Sequence, residues 1–146
     1  MIISALKERK SNEKRVAIVP DVAKKLVNDG HQVFIEAGAG EQSFFSDQSY
    51  KESGAEILSL DDIVSKTDIL LVVDLPSDEI LSKVKDNSNI IGLLNPYDNK
   101  DSFVSFKNKS ISAFSMELIP RITRAQSMDV LSSQANLSGY RAVINA

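Results

Sequence analysis

Apolar residues fall along this chain in short blocks, separated by stretches in which they recur every three or four positions. The blocks fit strands and the intervening stretches fit amphipathic helices. Six blocks predict strands: IISAL (2–6), QVFIEA (32–37), AEIL (55–58), DILLVVD (68–74), IIGLL (90–94) and SISAFSM (110–116). Within them ILLVV and IIGLL are apolar at successive positions. Unbroken apolar runs predict central strands covered by helices on both faces.

The stretches between carry helix punctuation. PDVAKKLVNDG puts Val22, Leu26 and Val27 on one stripe, with Asp21 in the first turn and Gly30 as the stop. SDQSYKESG ends on Gly54 in the same manner, and SLDDIVSKT and PSDEILSKVKD each open on serine or proline followed by acids. NKDSFVSFKNKS predicts a fifth, short helix, and the segment from about Gln126 to Ala146 predicts the longest one, without a closing cap. The alternation predicts an α/β fold, Rossmann-like or flavodoxin-like: a mostly parallel sheet of about six strands, helices on both faces, and a long C-terminal helix. Residues 1–146 are expected to form a single domain.

Composition narrows the chemistry. A chain of 146 residues, 42% hydrophobic and 25% charged, resembles ordinary globular domains, and at this size it can bury roughly 70% of its unfolded surface. A formal charge of -3 with dispersed basic residues offers no extended positive field, so no nucleic-acid partner is expected. Without cysteine and with one histidine, neither a disulfide, a thiolate nucleophile nor a Cys/His metal site is expected. The apolar runs are far shorter than the ~20 residues a membrane helix needs, so no direct membrane insertion is expected and the default compartment is the cytoplasm.

Three segments carry candidate chemistry. In PRITRAQSMDVLSSQANLSGY (120–140), a helical projection places Asp129, Ser132, Ser133, Asn136 and Tyr140 on one face, polar yet nearly uncharged. A solvated helix face usually carries Lys and Glu, which favour helix; hydroxyls and amides there fit a face covered by a ligand or a second domain. Two plainer readings stand beside it: Thr123 and Gln126 have capping-box spacing, and small serines permit close packing on the sheet. In KERKSNEKRVAIVP (7–20), directly after the first strand, Arg15 is a candidate anion clamp, because loops at the carboxyl ends of parallel strands face the ligand crevice; a merely solvated arginine is the alternative. In EAGAGEQS, Gly38 and Gly40 lack the third glycine of a dinucleotide loop, since position 43 is serine, so this turn is assigned no phosphate site. His31, beside Gly30 at a helix-to-strand turn, is given no role.

KERKSNEKRVAIVP, GAGEQSFFSDQSYKESGAEI and MELIPRITRAQSMDVLSSQANLSGYRAV together resemble the N-terminal domain shared by alanine dehydrogenase and the alpha subunit of proton-translocating NAD(P) transhydrogenase. The last of them is most similar to the transhydrogenase branch. The resemblance implies the first subdomain of an NAD(H)-binding component whose second Rossmann subdomain, with the glycine fingerprint, is absent from this chain. It implies hydride transfer between NADH and NADP+, with NAD held only together with that second subdomain and NADP on a partner subunit. The implied partners are the rest of the alpha subunit and membrane-embedded transhydrogenase subunits, which would hold a cytoplasmic chain at the inner membrane; a homodimer is compatible with this. The family's nicotinamide-positioning residues fall on Arg121, Gln126, Asp129 and Ser132, none of which needs to transfer a proton. Alone, the chain is expected to be inactive. Alanine dehydrogenase activity fits less well: Arg15 matches that branch, but Val72 or Val73 stands near its expected lysine and Asn95 and Pro96 stand where its histidine is expected, and valine or asparagine cannot act as general acid or base. A non-catalytic interaction module of the same fold is the other alternative.

Overall fold

A computed structural model describes residues 1–146. Strand and helix alternate as β1 (Ile2–Ala5), α1 (Pro20–Asn28), β2 (Gln32–Glu36), α2 (Asp47–Glu52), β3 (Glu56–Leu58), α3 (Leu60–Lys66), β4 (Ile69–Asp74), α4 (Asp78–Lys83), β5 (Asn89–Leu93), α5 (Lys100–Asn108), β6 (Ser112–Ser115) and α6 (Val130–Asn145). Single 3-10 segments lie at Glu41–Ser43, Met116–Leu118 and Thr123–Met128. All six strands run parallel in the order β3-β2-β1-β4-β5-β6. This is the doubly wound arrangement, in which the chain leaves β1 for one edge and later returns to β4 to build the other.

Local chemistry explains the helix ends. Pro20 opens α1, while Ser46 and Ser59 accept the backbone N–H of Ser49 and Asp62, at 3.2 and 3.3 Å, to cap α2 and α3. Gly30 and Gly54 follow their helices at φ of 84° and 90°, a left-handed stop that costs glycine little.

The two faces of the sheet own separate cores. Ile3, Ala5, Val33 and Ile35 pack with Ala23 of α1 and Tyr50 of α2. On the opposite face Phe34, Leu70, Val72 and Ile90 pack with Ile63 and Val64 of α3, Ile80 and Leu81 of α4, and Phe106 of α5. Tyr50 is fully buried and its hydroxyl donates to the Ile18 carbonyl at 2.7 Å; desolvation pushes the phenol up to about 12.

Two expectations need correction. The central strands are not covered on both faces throughout: in β4 and β5 buried residues alternate with half-buried Ile69, Leu71, Ile91 and Leu93. On that side α1 and α2 pack over β1–β2, while Leu71 and Ile91 border open recesses that reach the 3-10 turn at Thr123–Met128 and Val130 of α6. On α1, Val22 is 41% exposed and Ala23 takes its place on the buried stripe.

Candidate functional site

The loop after β1 runs along the carboxyl ends of the strands and is held there by carboxylates. Glu8 accepts the backbone N–H groups of Val73 and Asp74 at 2.6 and 3.2 Å. Burial raises its pKa above the ordinary glutamate value despite those two donors, and the charges of Asp74 and Glu13 push the same way. Lys10 pairs with Asp74 at 3.1 Å, and Arg9 with buried Glu36, which also accepts the Lys7 N–H at 2.8 Å.

Arg15 is not free in solvent. Its Nε and Nη2 donate to Glu13 at 2.8 and 2.6 Å, and its Nη1 reaches the Gln134 Oε1 of α6 at 3.3 Å. The guanidinium holds Glu13 below the usual carboxylate range, and Glu13 in turn raises Arg15. One edge of the candidate clamp is therefore filled by the protein's own acid. Beside it lies a mainly apolar recess of about 350 Å3 between Val16, Val72, Leu93, Met116 and Val130. Val72 is buried, and Asn95 sits in a left-handed turn at φ 44° with its side-chain amide on Asp98 at 2.6 Å. Neither supplies a proton-transferring group.

A second cleft, of about 370 Å3, forms where the chain passes from β6 towards α6. Arg121, Gln126, Asp129 and Ser132 all line it, together with Pro120 and Thr123. Asp129 caps α6: its Oδ1 accepts the Ser132 N–H at 2.9 Å and its Oδ2 the Ser132 hydroxyl at 2.5 Å. Those bonds, with the charge of Arg121 as a lesser contribution, hold the Asp129 carboxyl below the ordinary aspartate value. Arg121 and Gln126 are exposed.

The long helix thus starts at Val130, not at Gln126. Residues 123–128 form 3-10 turns, preceded by Ile122 without a side-chain cap, so the Thr123–Gln126 capping box does not form. The cap used instead is Asp129 with Ser132, three residues apart. Close packing of the serines on the sheet is also overturned: Ser132, Ser133, Asn136 and Tyr140 are exposed, and α6 buries no residue at all.

The carboxylates of this region escaped the reading of the sequence. Glu13 stands two residues before Arg15, a spacing that could have marked the pair; Glu8 and Glu36 gave no sequence signal, because their partners are backbone amides and a residue 27 positions away.

The profile of the alanine dehydrogenase/PNT N-terminal domain matches residues 4–138. The chain belongs to this family. The first part of an NAD(P) transhydrogenase subunit alpha, from Rickettsia prowazekii (strain Madrid E), is 44% identical over 151 aligned residues, which span 100% of this chain and 39% of the relative. A crystal structure of transhydrogenase from Sinorhizobium meliloti is similar with a TM-score of 0.95 at 43% identity, over 100% of this chain and 44% of that one. An L-alanine dehydrogenase structure gives a TM-score of 0.77 at 28% identity, over 82% of this chain and 33% of that one. This family member therefore spans 39% of the length of its curated transhydrogenase relative. No helix in it is long and apolar enough to cross a membrane.

Proposed function

We propose that this chain forms one wall of the NAD(H) site in a proton-translocating NAD(P) transhydrogenase, in which hydride passes between NADH and NADP+ carried by a partner subunit. The observation that carries the reading is the gathering of Arg121, Gln126, Asp129 and Ser132 in one cleft at the foot of a helix that buries no residue. The similarity to transhydrogenase alpha subunits supports it.

The residues present fit the nicotinamide end of a dinucleotide. Gln126 offers both an amide donor and a carbonyl acceptor to a carboxamide, and Arg121 offers a cation. Asp129 is committed to capping α6, which fixes Ser132 at the cleft wall with its oxygen lone pairs available. The bound nicotinamide supplies or accepts the hydride; the side chains orient it and move no proton. Because one wall gives little of that orientation, the chain alone is proposed to be inactive and to bind NAD(H) weakly, gaining affinity only with a second Rossmann subdomain. Membrane-embedded subunits would then hold the assembly at the cytoplasmic face of the inner membrane.

Calorimetry tests this with NADH titrated into the chain and into a fusion carrying the remaining length of the Rickettsia relative. Tighter binding by the fusion is expected, and equal affinity would overturn the two-wall reading. A separate reading, amino-acid deamination, is opposed by buried Val72 and by Asn95; pyruvate-dependent NADH oxidation by the fusion would revive it.

A further inference from the structure

β1 stops pairing at Ala5, opposite Leu71, whereas β4 runs on to Asp74. Backbone N–H groups of β4 beyond Leu71 therefore lack a strand partner on the β1 side, at the point where the winding of the sheet reverses and open parallel sheets form their ligand crevice. In a regular strand successive N–H groups point to opposite edges. Here the pairing of β4 with β5 slips between Leu71 and Asp74, and both the Val73 and Asp74 N–H groups meet one carboxylate. Two convergent amides form a small anion-binding concavity. It opens beside a recess of about 300 Å3 walled by Leu6, Val72 and Ile80.

We propose that Glu8 is a built-in anion ligand of this crevice: its carboxylate occupies a two-amide site suited to a small carboxylate, and so pins the loop that delivers Arg15 to the neighbouring cleft. No cation pairs with Glu8, although Lys14, which has no ion-pair partner, lines the same small recess. Arg9 is held by Glu36, Lys10 by Asp74, Arg15 by Glu13, and Lys7 lies 3.7 Å from Glu41. The amides are thus the direct partners of Glu8, and the elevated pKa of its carboxyl fits an acid held in a half-buried site by neutral donors. Glu8 is a positioning residue, and its assignment holds whichever cofactor the chain takes.

The test is Glu8→Ala with formate as the probe, read by hydrogen exchange of the Val73 and Asp74 amides. Losing the acceptor is expected to speed their exchange by about ten- to a hundredfold, and formate, but not chloride at equal ionic strength, is expected to reverse this saturably. Trypsin cleavage at the basic residues between Lys7 and Arg15 should rise in the variant and fall again with formate. Unchanged exchange, or acceleration that formate does not reverse, would overturn the proposal. Should the variant fail to fold, the wild-type chain decides: the two amide resonances are expected to titrate together, with a midpoint above the ordinary glutamate value. Flat or unrelated titrations count against Glu8 as their ligand.

Discussion

At the scale of single residues the decisive constraint is how closely β4 and β5 approach. A Cβ placed on Gly92 would lie 2.5 Å from the Val72 carbonyl oxygen and 2.7 Å from its Cγ2, and the first of these is backbone, which cannot swing aside. Gly92→Ala is therefore expected to destabilise the fold by about 1–3 kcal/mol through overpacking, seen as a lower urea midpoint with an unchanged slope. The same contact explains why Val72 is so firmly placed: it is buried against α4 on one side of the sheet and walls the cleft at its end. Neither role was visible in the run DILLVVDLP, where one valine looks like the next. Arg15, by contrast, was legible as a cation in the loop at the carboxyl ends of the strands, because that inference needs only the order of elements. Of its partners, Glu13 stands two residues away and is marked by that spacing, whereas Gln134 is not, since it is set by the position of a helix 119 residues further along.

At the scale of elements, α6 differs from every other helix. The first five each bury at least one residue, whereas α6 buries none and is tied down mainly by its first turn. A helix of 16 residues without a packed face is marginal in water. Its Asp129 cap therefore matters, and the sign of its pH dependence follows from the lowered pKa. The cap's contribution is fully present above the unfolded aspartate pKa and is lost as pH falls through the depressed folded one. Far-UV circular dichroism is expected to show a loss of helix in that acid window, before the sheet unfolds, and the loss should be absent from Asp129→Asn, which caps without titrating. Strands and the first five helices were legible from local signals, apolar blocks for the strands and start and stop residues for the helices, as with Ser46 and Gly54 around α2. The start of α6 was misjudged by four residues because two cap patterns overlap in TRAQSMDVLS, and sequence spacing alone does not rank them.

At the scale of the whole molecule, a transverse row of side chains runs through Ile35, Ala5, Leu71, Ile91 and Phe114 across the sheet. Its first two members are fully buried, the next two half-buried, and Phe114 is 55% exposed. Near its outer end an apolar groove of about 810 Å3 opens between Phe103, Phe114, Leu118, Ile122 and Met128. Such a surface is expected to bind 8-anilinonaphthalene-1-sulfonate in the folded chain, and Phe114→Lys is expected to lower that fluorescence while changing stability by no more than about 0.5 kcal/mol. Sequence patterning foresaw the sheet but not this imbalance, since Ile91 and Phe114 are apolar whether or not something lies over them. The parallel order also governs how the fold is reached in time. β1 joins β2 across some thirty intervening residues and β4 across 66 positions, as in the pairing of Ile3 with Ile69, and no hairpin offers a nearby nucleus. During synthesis, the second edge of β1 stays unsatisfied until β4 has been made, so chains arrested before that point present a sticky strand to one another.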